Sequence, residues 1–214
     1  MTERPDMPPV AATIDYAPPE SLRAARALMG MTQTQTAKAV GISRVSLAAY
    51  ETGSDATLKT VATLCRFYRR LRIKCLGRTD WSQKIVHGSG AYFCFPPVIL
   101  RRFHLPNEAN FAAARALLGL ELQAVAEGAK ISPRQVRNLE NFVVFRKANY
   151  DSLRAFYVDE CRLEFLSVLG HRGLIGLGVR HASNEVPPPR GFWVNRGDHV
   201  LARIPTGWTR NQYK

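Results

Sequence analysis

The chain has 214 residues, enough for one ordinary domain or two small ones. Its 30 Lys plus Arg against 17 Asp plus Glu give a formal net charge of +13, which favours a polyanionic partner such as nucleic acid over a neutral one. Hydrophobic residues make up 46%, so a core can be buried, and no apolar run approaches the roughly 20 residues of a membrane span. The first residues, Met-Thr-Glu-Arg-Pro-Asp, lack the apolar stretch of a signal peptide, so a cytoplasmic, nucleoid-associated protein is expected.

Residues 1–19 are rich in proline and read as a flexible arm. Leu22, Ala25, Leu28 and Met29 then recur at helical spacing before Gly30, a natural stop. Thr32 and Gln35 form a capping box for a second helix, with Ala37 and Val40 inward and Gly41 at its end. Ser43 caps a third helix running to about Thr52, with Val45 or Leu47 and Tyr50 as buried candidates. Leu58, Val61, Ala62 and Cys65 mark a fourth helix. Beyond it, Arg72–Leu76 and Ala91–Phe95 read as the arms of a small hairpin.

The chain then repeats. At an offset of 89 residues, Ala24-Ala-Arg-Ala-Leu-Met-Gly-Met31 lies on Ala113-Ala-Arg-Ala-Leu-Leu-Gly-Leu120. Ala37 falls on Ala126, Ile42-Ser43 on Ile131-Ser132, Glu51 on Glu140, and Phe67-Tyr68 on Phe156-Tyr157. After one inserted residue, Arg72–Leu76 faces Arg162–Leu166, with Leu174–Arg180 as the second arm of a second hairpin. The sequence therefore divides into an arm (1–19), a first unit (20–98), a linker (99–106), a second unit (107–182) and a basic aromatic tail (183–214). The expected fold is mainly α: two tandem units of four to five helices, each followed by a small β-hairpin.

Residues 26–53, from Arg26-Ala-Leu-Met-Gly-Met through Ala-Ala-Tyr-Glu-Thr-Gly53, resemble the Cro/CI (XRE) helix-turn-helix family of DNA-binding proteins. The second unit carries the same resemblance in degraded form. The resemblance implies that Arg26 pairs with Glu51 and Arg115 with Glu140, locking each third helix to its first. It implies that Gln33 contacts phosphate, that Arg44, Val45 and Ala49 face bases, and that Ser43, Ser46 and Thr52 touch backbone. In the second unit Ser132, Arg134, Gln135, Arg137 and Asn138 occupy the corresponding face. Arg suits guanine and Asn suits adenine, while Val and Ala meet a thymine methyl group. Two departures stand out: Leu122 replaces Gln33, and Lys130 replaces Gly41 at a cost of ~1 kcal/mol if the turn keeps its shape.

The four cysteines form no Cys-x-x-Cys pair and read as reduced thiols in or near the core; no cofactor or metal is expected. No nucleophile or acid–base cluster stands out, so the expectation is a protein that is not an enzyme. The leading function is a sequence-specific regulator of transcription bound to double-stranded DNA, a repressor by family habit. A homodimer would lengthen the site and restore its palindromy. The alternative is an antitoxin-like or adaptor protein whose second unit binds a protein partner. The tail, with Arg190, Phe192, Trp193, Arg196, Arg203, Trp208, Arg210 and Tyr213, suits either a DNA backbone or packing on the second unit.

Overall fold

The computed structural model describes residues 16–54, 57–80, 83, 85–94, 109–143, 145–170, 173–184, 186, 193–196 and 199–201. The linker, residues 1–15 of the arm and most of the tail lie outside them, including Arg190, Phe192, Arg203, Trp208, Arg210 and Tyr213.

Helix α1 (Pro19–Leu28) begins with Pro at its first position, where no amide hydrogen is needed, and buries Leu22, Ala24, Ala25 and Leu28. Helix α2 (Gln33–Val40) starts on the Thr32–Gln35 capping box. Helix α3 (Arg44–Thr52) is capped by the Ser43 hydroxyl, which accepts from the Ser46 amide. Helix α4 (Leu58–Arg70) buries Val61, Leu64, Cys65 and Tyr68. Leu58, in the first turn of α4, is exposed.

The same order of elements follows in the second half. Helix α5 (Phe111–Leu118) is capped by Asn110, α6 (Leu122–Gly128) follows, and α7 (Pro133–Glu140) starts on the Ser132–Gln135 capping box. Helix α8 (Lys147–Ala155) runs into a single π-helical stretch at Phe156–Glu160, closed by the Cys161 amide donating to the Phe156 carbonyl. The extra residue that lengthens the sequence offset from 89 to 90 falls here. A π-turn absorbs one residue without breaking the helix.

Backbone conformations match at the same offsets. Gly41 has φ +79° and Lys130 φ +55°, so the turn before the third helix keeps its left-handed shape even where lysine must bear the strain. Arg72 and Arg162, 90 residues apart, also both take positive φ.

The strands β1 (Ile73–Asp80), β2 (Ile85–Phe93), β3 (Leu163–Gly170) and β4 (Gly173–His181) extend beyond the short arms expected from the sequence. They do not form two separate hairpins. One antiparallel sheet has the order β1-β2-β4-β3-β5-β6, where β5 (Trp193–Arg196) and β6 (His199–Leu201) come from the segment read as tail. The seam is β2 on β4: Gly90 lies opposite Arg180, Ala91 opposite Val179 and Tyr92 opposite Gly178.

This seam is tight. A Cβ on Gly90 would lie 2.5 Å from the Arg180 Cα, and one on Gly178 would lie 2.6 Å from the Tyr92 Cα. Each glycine thus makes room for the opposing strand in the mirrored position.

The helices cover one face of the sheet. Ile73, Ala91, Phe93, Leu163, Phe165, Leu177 and Val179 join the helices in one continuous core that spans both halves. Tyr92 and Leu166 form a smaller cluster with Leu76 and Cys94. Glu164 and Arg180, both fully buried, are paired across the strands at 2.7 Å. The four cysteines carry no disulfide, with Cys65 buried and the others half-buried. Gly90→Ala and Gly178→Ala should each destabilise the whole chain, by about 1–3 kcal/mol or more, because a methyl group is forced onto backbone. Urea denaturation checks this: a loss confined to one half of the chain would show that the halves unfold independently.

Candidate nucleic-acid interface

Helix α3 has two sides. Leu47 is fully buried and fixes the helix on the core, whereas Val45 is 73% exposed. Of the two positions left open by the sequence, Leu47 is therefore the inward one, and Tyr50 is half-buried. Val45, Ala49 and Thr52 follow at i, i+4 and i+7 along the outer side, with Ser43 and Arg44 exposed at its start. Ser46 is half-buried, its hydroxyl 2.8 Å from that of Ser43. The Thr52 hydroxyl donates back to the carbonyls of Ala48 and Ala49, which leaves its methyl group on the surface.

A charged lock holds this helix from behind. Arg26 Nε donates to Glu51 Oε1 at 2.6 Å, and Arg26 Nη2 donates to Glu51 Oε2 at 2.9 Å. Arg26 also donates to the Met31 carbonyl, so the same guanidinium fixes the α1–α2 turn. The Arg26 side chain is 18% exposed and that of Glu51 1%. Gln33, expected on phosphate, donates its side-chain amide to Glu51 Oε2 at 2.9 Å. It thereby sits at the first turn of α2 with its position set by the lock. Behind the pair, the buried Tyr68 hydroxyl is pushed far up from its usual range by desolvation and by the Glu51 carboxylate, so it stays protonated.

In the second half, Arg115 Nε and Nη2 donate to Glu140 Oε1 and Oε2 at 2.6 and 2.9 Å. The Arg115 guanidinium has its pKa raised, chiefly by that hydrogen bond. This pair is wetter, with side chains 30% and 7% exposed. Leu122 stands half-buried against the core where α2 has Gln33. On α7, Val136 and Leu139 are buried, Ser132, Arg134 and Arg137 are exposed, and Gln135 and Asn138 are half-exposed. Gln135 is engaged in its capping box. Lys130, exposed at the turn just before α7, adds a cation that the sequence reading treated only as a turn defect.

Two further residues escaped the sequence reading. Ser21 is fully buried on α1; its hydroxyl donates to the Leu76 carbonyl and accepts from the Gly90 amide, binding the helix to β1 and β2. Arg23 on α1 reaches across to α5, donating to the carbonyls of Ala116 and Leu117. The repeat offered no signal for Arg23, because its counterpart is Ala112.

Residues 22–72 match the model of a helix-turn-helix family, HTH_3. The matched stretch runs from Leu22 within α1 to just beyond α4 and thus contains α3, its outer face and the Arg26–Glu51 lock. It supports a DNA-binding helix-turn-helix in the first half of the chain. No curated protein and no solved structure matches the chain. No helix among the described residues is long and apolar enough to cross a membrane.

Removing one partner of a lock leaves a buried charge unpaired. Glu51→Ala should therefore cost about 3 kcal/mol in global stability, and Glu140→Ala about half that, since Arg115 is better hydrated. Parallel urea melts of the two variants test the ranking; equal losses would mean that the difference in exposure carries no energetic weight.

Proposed function

We propose that the chain is a sequence-specific regulator of transcription that binds double-stranded DNA in the major groove through both α3 and α7, acting by occupancy and not by catalysis. The observation that carries this reading is the outer face of α3 within the helix-turn-helix match: Arg44 and Val45 are exposed and Ala49 half-exposed on a helix held from behind by Leu47 and the Arg26–Glu51 pair. A rigid helix with a free outer face is what base reading needs, because phosphate contacts position a protein and base contacts specify the sequence. Arg44 offers a fork to guanine, and Val45 and Ala49 offer apolar surface to a thymine methyl group.

We read α5 to α8 as a second, diverged helix-turn-helix unit. Its lock, its left-handed turn and its serine N-cap on the third helix (Ser132, as Ser43 in the first unit) recur at the offset of 89, which supports that reading. Its outer face differs: Pro133, Arg134 and Asn138 stand where the first unit has Arg44, Val45 and Ala49. One chain would then read two unlike half-sites. A repressor that blocks a promoter by steric occupancy needs nothing more. The net charge of +13 supplies the nonspecific attraction on which such a search depends. The adaptor alternative, with a protein partner on the second unit, is distinguished by what α7 does.

Selection of bound duplexes from a random DNA pool should enrich a two-part motif. An Arg134→Ala, Asn138→Ala double variant should lose one part of it; a single motif indifferent to those changes would transfer the second unit to a protein partner. Arg44→Ala should cost ~1–3 kcal/mol on the preferred site and relax its sequence preference, as titration against a panel of single-base variants would reveal. Uniform weakening on every duplex would instead reduce Arg44 to a phosphate contact.

A further inference from the structure

Within each half, the Arg–Glu lock fixes the recognition helix to the first helix of its own unit. The β2–β4 seam joins the two units through the sheet, and their helices meet separately. Helices α1 and α5 pack on each other, and both belong to the one continuous core. Packing between two short alanine-rich helices resists separation better than it resists sliding or rotation, since small side chains interdigitate weakly.

Arg23 lies across that contact. Its Nε donates to the Ala116 carbonyl at 2.8 Å, and its Nη2 donates to the Leu117 carbonyl at 3.0 Å. Its Nη1 donates to the main-chain carbonyl of Glu51. The three acceptors are helix-terminal carbonyls, two from the last turn of α5 and one from the last turn of α3, where the helix dipole favours a cation. The planar guanidinium fixes direction as well as distance, which an ammonium cannot. Burial draws the Arg23 pKa down, while the nearby carboxylates of Glu20 and Glu51 oppose that shift.

The result is a continuous chain of polar contacts between the two candidate recognition helices. Helix α3 is held at Glu51 by Arg26 through its carboxylate and by Arg23 through its carbonyl. Arg23 grips α5 at Ala116, the residue after Arg115, and Arg115 holds Glu140 at the end of α7. Because Ala112 occupies the matching place on α5, this arginine strut has no mirrored counterpart reaching from α5 to α1.

We infer that Arg23 is a positioning residue that sets the orientation of α3 relative to α7, and through it the half-site spacing the protein accepts. The DNA consequence rests on the proposed reading that both helices contact one duplex; the positional claim does not. Two measurements on the full chain separate them. Spin labels carried by non-canonical residues at the exposed positions Thr34 and Gln123 report the α2–α6 distance distribution without DNA. Arg23→Ala should broaden that distribution, and Arg23→Lys, which keeps the charge but not the fork, should broaden it less. An unchanged distribution in Arg23→Ala overturns the inference outright.

Binding to duplexes carrying both selected half-sites, with the spacer lengthened or shortened by single base pairs, reads the consequence. The native protein should prefer one spacer by about tenfold, an ordinary coupling between sites, and Arg23→Ala should flatten that preference to about threefold or less. Affinity for an isolated half-site should change less than about twofold, because Arg23 touches no recognition face. A preference kept intact in Arg23→Ala counts against the inference. If even the native protein does not distinguish two half-sites from one, the two-part reading fails, and the label distances alone decide the role of Arg23.

Discussion

The close approach of β2 and β4 is the constraint on which the rest of the molecule depends. Two hairpins that ended in free edges would expose backbone donors and acceptors to any other chain, and would leave two small cores of marginal stability. Pairing Gly90 with Arg180 and Gly178 with Tyr92 removes one edge from each hairpin and merges the cores. Alanine at either glycine would drive a methyl into the opposing strand, so the seam is written in two residues that carry no side chain. Ser21 ties the helical layer to the same seam through the Gly90 amide.

On this frame each half uses a buried ion pair where a hydrophobic contact would serve stability as well or better. The gain is directional. A bidentate Arg–carboxylate pair admits one mutual orientation, whereas apolar side chains tolerate several. Arg26 and Glu51 therefore fix the rotation of α3 about its own axis, which decides that Val45 faces outward and Leu47 inward. For a helix whose outer side chains must meet base edges, an error in that rotation would misplace all of them together.

Much of this was legible in the sequence because it is local. The capping box at Thr32–Gln35 and the left-handed turn at Gly41 are short-range signals, and the structure places both; the Arg26–Glu51 and Arg115–Glu140 pairs, which the family resemblance implied, are formed as well. The one-residue change of offset was visible too, though only the structure places it in a π-turn. The helical spacing at Val45 and Leu47 did not decide which faced inward, because both are apolar and two residues apart on a short helix. The joined sheet was out of reach for a deeper reason. Which strand edges meet depends on residues some 90 positions apart, and glycine leaves no hydrophobic pattern to follow. Arg23 was hidden by its ordinariness: an arginine on an amphipathic helix reads as solvated until the helix end it faces is known.

The two halves differ most where they face outward. Leu47 and Val136 are buried alike, and Arg26–Glu51 and Arg115–Glu140 pair alike, while Arg44, Val45 and Ala49 give way to Pro133, Arg134 and Asn138. On the proposed reading this has a consequence that a dimer of identical units cannot have. A symmetric dimer on a palindrome binds identically in either direction along the duplex. A single chain with an apolar, arginine-led face on α3 and a polar face on α7 has one favoured direction, because reversing it sets Val45 against the base meant for Arg134 and Asn138 against a thymine methyl group. Whatever lies beside the rest of the chain, including the strands β5 and β6 at one end of the sheet, would then always lie to the same side of the site. On that reading, fusing two units into one chain turns a spacing rule into a polarity.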